Sequence, residues 1–507
     1  MGGYIIPLAL LSAMLRFWSF SRAKYANGWD AYFYLVQVKS WIEEGRMHSA
    51  DASLIYPLMR LIVWFCGGDY VLMYQVTAAF LAGLFTLAIG CLGKNTRRQM
   101  PVFLLVSWSV FSPHLSYFAA QYPKNLLGLV LLVFFMGALH GNDRMPNDRV
   151  IQSHPVIVFM LLLLNYFGHR FTFVLTVSYG LVWWFSNNKS RINESLSALK
   201  KSDGLVKVEW KMGGLISLVT AAMLVLFALL FPGLFHWADI GRLSGTFSYT
   251  PQFAPWSFVR EFGIARLSFW WMAELIGLTL LFFTGVILIL FQKSVVPPVS
   301  RRLYPLLLLL LFPFLEWSFT GIAYRAFLVW VLLCPLAIFC IPKKFELAAA
   351  LCLLIAAFFS WKSYTPGLHD PDYARFKGIT DRVGGYFEQH PVAATESLPE
   401  LIICHNALAE FYTFSTGADA LPWQPEYPVD STRLWRLAAG ISPQLLKYYV
   451  ANEQPVVVVG PQYSLLPESL WQRAIRRATA IQDTAFLNIA RSWYNPYRVR
   501  PGWLLKK

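Results

Sequence analysis

Apolar residues run almost unbroken through stretches near 4–20, 70–92, 101–112, 123–140, 155–167, 170–186, 213–232, 270–291, 303–316, 320–341 and 346–362, each closed by a short polar or basic segment. A helix needs about 20 mostly apolar residues to cross a bilayer, so the pattern predicts about 11 transmembrane helices. The third and fifth runs are short, and Pro113 predicts a kink or a re-entrant turn after the third. The first run has neither a basic flank before it nor a small-x-small cleavage site, and reads as a retained helix. Beyond residue 362 the material changes. Leu401-Ile402-Ile403-Cys404 and Pro455-Val456-Val457-Val458-Val459-Gly460 read as buried strands, with helical patterns around them. The expected division is a transmembrane domain over 1–362 and a small α/β domain over 363–507.

Charge gives the orientation. Only 14% of the 507 residues are charged, and mean hydropathy is +0.47, whereas soluble domains average about 25% charged. The loops after the even-numbered runs carry 16 basic and 5 acidic residues. Those loops are expected in the cytoplasm by the positive-inside rule. The opposite loops and the C-terminal domain then face outward, which predicts a multi-pass protein of the plasma (inner) membrane with an extracytoplasmic tail. The net charge of +15 therefore marks topology and gives no nucleic-acid footprint: residues 364–507 hold 14 Lys/Arg against 13 Asp/Glu. Cys404 is the one cysteine of the tail, so no disulfide framework is expected. Phosphate-binding Gly-rich signatures are missing from the sequence, which leaves soluble nucleotide chemistry without support.

The first outward loop carries the candidate chemistry. Trp29-Asp30-Ala31-Tyr32-Phe33-Tyr34 is followed by an amphipathic stretch from Val36 to Ile42, then Glu43-Glu44-Gly45, Asp51 and Tyr56-Pro57. Ionisable groups near lipid are costly, which makes Asp30 and Asp51 functional candidates. A carboxylate there can take the proton of an attacking hydroxyl or ligate a hard divalent cation. It can also merely cap the helix that follows. Cations stand at other outward helix ends: Lys124 after Pro123, His169 and Arg170 after Gly168, and Arg325 beside Tyr324 and downstream of Glu316. Arg and Lys at headgroup level suit a phosphate, and snorkelling to lipid is the plainer use of the same residues. Glu316 is equally suited to pairing with Arg325. Glu274, within the eighth run, reads as a satisfied buried polar group.

The order Asp-x-Tyr, amphipathic helix, Gly, Asp and Tyr-Pro over residues 29–57 resembles the first outer loop of GT-C-class membrane glycosyltransferases, including oligosaccharyltransferase catalytic subunits. The resemblance implies a GT-C-like fold and sugar transfer from a polyprenyl-phosphate-linked donor to an extracytoplasmic glycan, lipid or protein acceptor. Asp30 and Asp51 would be its catalytic residues. Lys124, His169, Arg170, Glu316, Tyr324 and Arg325 would form its substrate site. The chain departs from oligosaccharyltransferases in two places. Residues 112–125 contain no carboxylate, leaving His114 and Gln121 as weak substitutes for metal ligands, and no Trp-Trp-Asp-Tyr-Gly sequence is present. These departures favour a metal-independent transferase, with no cofactor, over metal-dependent glycan transfer to protein. A lipid-linked-sugar transporter is the non-enzymatic alternative.

Overall fold

The computed structural model describes residues 3–28, 30–49, 51–94, 99–140, 155–187, 229–231, 233, 251–253, 269–291, 315–317, 329–340 and 343–363. In the tail it describes 373–374, 376–378, 380–381, 401–404, 406–417, 420–422, 456–459 and 499–501. The chain divides into two compact units, residues 1–24 with 40–365, and residues 25–39 with 366–507. The stretch after Asp30 therefore groups with the tail, a partition that composition alone, which changes near 362, does not reveal.

The first unit is mostly helical. Its elements are α1 (Ile5–Phe20), the last turn of α2 (Ala31–Glu43), α3 (Ile55–Phe65), α4 (Tyr70–Lys94), α5 (Gln99–Phe111), α6 (Pro113–Gln121), α7 (Pro123–His140), α8 (Pro155–Gly168) and α9 (Arg170–Asn187). Further on come α10 (Phe269–Phe291), a 3-10 stretch over Cys334–Cys340 and α11 (Lys343–Ser363). Among the described residues, α4 is the single unbroken helix long and apolar enough to span a bilayer. The pair α5 and α6, bent by 54°, passes the same test when taken together. The eleven spans expected from the sequence are thus not all present among the described residues, and the run near 213–232 lies mostly outside them.

Small residues bring α1 against α4. A Cβ on Gly83 would lie 2.9 Å from both Ala13 Cβ and the Ala9 carbonyl oxygen, so the two backbones approach as only small residues allow. The polar residues of this interface satisfy one another: Ser109 Oγ donates to Thr86 Oγ1 at 3.1 Å, and Thr86 Oγ1 donates to Ser12 Oγ at 3.0 Å. Arg16 is fully buried beside them, donating to the carbonyls of Ser109, Val110 and Ser112 at 2.9, 3.1 and 3.0 Å. The Ser109 and Val110 carbonyls lie in the last turn of α5, where the helix offers them no further N–H, and a guanidinium also suits that end of the helix dipole; the Ser112 carbonyl opens α6 and also accepts from the Ser116 N–H at 3.3 Å. Ser112 then caps α6 through the Leu115 N–H, with Pro113 at its first position. The bend is thus specified from both sides.

One predicted helix ends differently. The last two residues of the run 303–316, with Trp317, form a strand, β2 (Leu315–Trp317), antiparallel to β1 (Pro251–Phe253) with Glu316 opposite Gln252. Pro313, two residues before β2, removes a helical donor and clashes with the preceding turn.

The second unit contains the start of α2, α12 (Asn406–Thr416) and a four-stranded sheet in the order β4-β3-β5-β6. Here β3 is Leu401–Cys404, β4 is Ala420–Pro422, β5 is Val456–Val459 and β6 is Val499–Pro501. The first three run parallel and β6 runs antiparallel to β5. Parallel neighbours need crossovers, and α12 supplies the one between β3 and β4. Both apolar segments singled out in the sequence, 401–404 and 456–459, are central strands of this sheet.

Candidate functional site

In the first unit the residues around Asp51 gather at the junction of α3, α7, α8 and α9. One carboxylate oxygen of Asp51 accepts from Lys124 Nζ, and the other accepts from the Tyr56 hydroxyl. The side chains of Lys124 and Asp51 are 20% and 11% exposed, so this ion pair has little water to screen it and holds its geometry firmly. Chain pairing fixes the loop behind it: Ser53 Oγ donates to the Gly168 carbonyl at 2.8 Å, and the Leu54 N–H donates to the Phe167 carbonyl at 2.9 Å. The residues after Asp51 are therefore tied to the end of α8, immediately before His169 and Arg170.

Helix α7 closes on the same junction. Lys124 stands in its first turn, and one turn later a Cβ on Gly128 would lie 2.0 Å from Thr172 Oγ1 and 2.8 Å from His169 Cβ. Asn165 reinforces the approach, donating to the Gly128 carbonyl at 3.1 Å and to Thr176 Oγ1 at 2.7 Å while accepting from Thr172 Oγ1 at 2.8 Å. His169 and Arg170, both half-buried, stand where α8 hands over to α9. The structure thus brings Asp51, Lys124, His169 and Arg170 to one end of the first unit. Ser53 and Tyr56, which shape this corner, carry no signal in sequence beyond the Tyr56-Pro57 motif.

Asp30 belongs to the second unit. It precedes α2, after a turn at Gly28 with φ of 107°, a value that favours glycine. The Gly28 carbonyl accepts from the Ala31 N–H at 3.3 Å and from the Tyr373 hydroxyl. Tyr32 is buried among Tyr373, Phe411 and Phe414, with ring centroids 4.7, 4.8 and 5.3 Å away. Glu410 of α12 lies beside Asp30, accepts from the Phe33 N–H, and carries a carboxyl pushed well above the usual range, first by burial and then by the Asp30 charge. Sequence reasoning missed Glu410, which is 380 residues from Asp30 and sits in no recognisable motif.

The remaining candidates are quickly placed. Glu316 is paired through its backbone with Gln252, while Tyr324 and Arg325 lie outside the described residues. Glu274 is fully buried; it accepts from Trp108 Nε1 at 2.8 Å and pairs with His114 Nδ1 at 2.7 Å. His114 is thereby part of a buried structural pair at the α5–α6 bend. Among the described residues no three His, Cys, Asp or Glu side chains converge as cation ligands. Asp51, its oxygens on a lysine and a tyrosine, is poorly disposed to bind one.

No family model and no curated protein matches this chain. Solved structures do. The chain is similar to the Archaeoglobus fulgidus oligosaccharyltransferase in its apo form, with a TM-score of 0.54 and 13% identity, over 89% of this chain and 69% of that one. It is also similar to that protein tethered to an acceptor peptide containing the NVT sequon, with a TM-score of 0.56 and 12% identity, over 98% and 73% of the two chains. At this identity the likeness is one of architecture. The chain has an oligosaccharyltransferase-like fold.

Proposed function

We propose that this protein is an integral membrane glycosyltransferase that moves a sugar from a polyprenyl-phosphate-linked donor to an acceptor on the extracytoplasmic face. The observation that carries the reading is the gathering of Asp51, Lys124, His169 and Arg170 at one corner of an oligosaccharyltransferase-like fold. Large apolar side chains turned outward support a lipid environment, among them Ile6 and Met14 on α1 and Leu61, Trp64 and Phe65 on α3.

In the proposed reaction an acceptor hydroxyl oxygen attacks the anomeric carbon and Asp30 takes its proton. The bond from that carbon to the phosphate oxygen breaks, its electron pair leaves with the polyprenyl phosphate, and the configuration inverts in a single displacement. Arg170 and Lys124 hold the departing phosphate, with Arg325 and His169 as further candidates, and charge-assisted hydrogen bonds stabilise the negative charge that develops there. Asp51 acts through Lys124: it orients the ammonium group and leaves two of its three donors for a phosphate.

The oligosaccharyltransferase-like architecture favours one second reading, metal-dependent transfer of a whole lipid-linked glycan to protein. Reconstituted protein supplied with a radiolabelled polyprenyl-phosphate sugar separates the two. The proposed reading expects label to pass to an acceptor at an undiminished rate in EDTA. Loss of all transfer in EDTA, restored by a divalent cation, favours the second reading, and no labelled product under any condition overturns both.

A further inference from the structure

Helix α3 is too short to cross a bilayer and too apolar to suit water. Its 11 residues extend about 16 Å as a helix, roughly half of a hydrocarbon core near 30 Å thick. Both of its ends are fixed at the same end of the helical unit. Before it, the Leu54 N–H donates to the Phe167 carbonyl at 2.9 Å, in the last turn of α8. After it comes a turn at Gly67 and Gly68, and then Asp69 caps α4 by accepting from the Leu72 N–H at 2.9 Å. The link between α6 and α7 is level with that first turn of α4, since the Tyr74 hydroxyl donates to the Ala120 carbonyl at 2.6 Å. Helix α3 therefore lies across the end that holds Lys124 and Asp51, away from the Lys94 end of α4. Its faces differ in what covers them. Ile55, Tyr56, Met59 and Val63 are buried against the bundle. The opposite face centres on Leu61 with Trp64 and Phe65, which are 56, 75 and 70% exposed. Arg60, the one charged residue of the helix, stands at the margin with its guanidinium 4.6 Å from the Trp41 ring.

We propose that α3 lies flat in the outer leaflet as an interfacial helix, with Leu61, Trp64 and Phe65 seated among phospholipid acyl chains and the Lys124–Asp51 corner held at headgroup depth. Four residues separate Phe65 from α4, the helix long enough to span, so the leaflet around the first turn of α4 reaches the tip of α3. A tryptophan at that tip suits the boundary, where its ring is apolar and its N–H stays wet. Arg60 keeps its charge at phosphate level while its stem runs along the apolar surface. The buried face passes this depth inward. Tyr56 donates to Asp51, whose other oxygen accepts from Lys124. Lipid on one side of α3 thus sets the height of an ammonium group on the other. The inference rests on the reading of the chain as a membrane protein and is independent of the transfer step.

Depth measurement on the full chain tests this. The six native cysteines are changed to alanine, and Leu58→Cys, Leu61→Cys and Phe65→Cys each carry a spin label in vesicles of phosphatidylcholine and phosphatidylglycerol. The three positions form one stripe of α3, and substitution there leaves its buried face intact. Collisions with oxygen, which partitions into lipid, and with a water-soluble nickel chelate report the depth of each label. All three labels are expected to favour oxygen and to share one depth, about 5–10 Å below the headgroup boundary. A helix standing on end would separate the Leu58 and Phe65 positions by about 10 Å and overturn the flat placement. Labels at Leu61 and Phe65 that favour the chelate would place this face in water, and labels reached by neither reagent would place it under protein; either overturns the proposal. Phe80→Cys, at an outward position of α4, keeps the two ideas apart. Oxygen preference there beside chelate preference on α3 removes only the anchor, whereas chelate preference at both removes the membrane reading itself.

Discussion

Asp51 illustrates what one partly buried carboxylate demands of its neighbours. Its two oxygens are matched to an ammonium and a phenol, and little solvent is present to replace either partner. Lys124→Met removes the ammonium partner of that charge, and is expected to cost about 1–3 kcal/mol, below the cost of a fully buried pair because both partners keep some exposure. Adding Asp51→Asn to Lys124→Met should recover part of the loss, which thermal unfolding of the three variants in detergent measures. Additive losses in the double variant would contradict the pairing. Each of these residues stood out in the sequence as an ion near an outward helix end, but their pairing did not. Asp51 and Lys124 are 73 residues apart, and only the folding of α7 onto the 51–54 loop joins them. Arg16 was hidden for a different reason: its partners are backbone carbonyls, and no side-chain motif records a carbonyl left over at a helix end.

Among the elements, helices were legible wherever apolar residues ran long without a break. The runs near 4–20, 123–140 and 170–186 correspond to α1, α7 and α9 within a residue or two. Pro113 marked the α5–α6 bend, though nothing local indicated that Arg16, His114 and Glu274 would brace it. The run 303–316 reaches two residues into β2, because a strongly apolar run outweighs a lone Pro313 when periodicity is the guide, and residues 303–314 lie outside the described residues. The closest helix contact of the candidate site is equally silent in sequence: Gly128 is one glycine among 32, and its value lies in what a methyl group would strike. Gly128→Ala must push α7 away from Thr172 and His169. A stability loss of about 1–3 kcal/mol is expected. Transfer should fall by ~100-fold, since a shift of roughly 1 Å in a positioning group is enough for that. Unchanged transfer by the folded variant would show that the α7 to α8–α9 spacing does not matter to the site.

On the scale of the whole molecule, architecture and chemistry were legible to different degrees. The likeness to an oligosaccharyltransferase covers nearly the entire chain at 12–13% identity, while the motif-level resemblance is confined to residues 29–57. Helix length, burial pattern and loop charge persist through extensive substitution because many apolar residues serve equally well in a packed helix. A reactive group has few substitutes, so the short first loop is where chemistry shows. It does not show there which residues of the tail complete that loop, because Tyr373, Glu410, Phe411 and Phe414 reach it only through the fold.

The central claim is that Asp30 removes the acceptor proton, and Asp30→Asn addresses it with the smallest possible change. The amide keeps the size of the side chain and loses the basic oxygen. Transfer from a radiolabelled polyprenyl-phosphate sugar should fall at least ~100-fold, while the variant is recovered in the membrane and melts as the unaltered protein does. A folded Asp30→Asn protein that transfers sugar at the original rate would contradict the account.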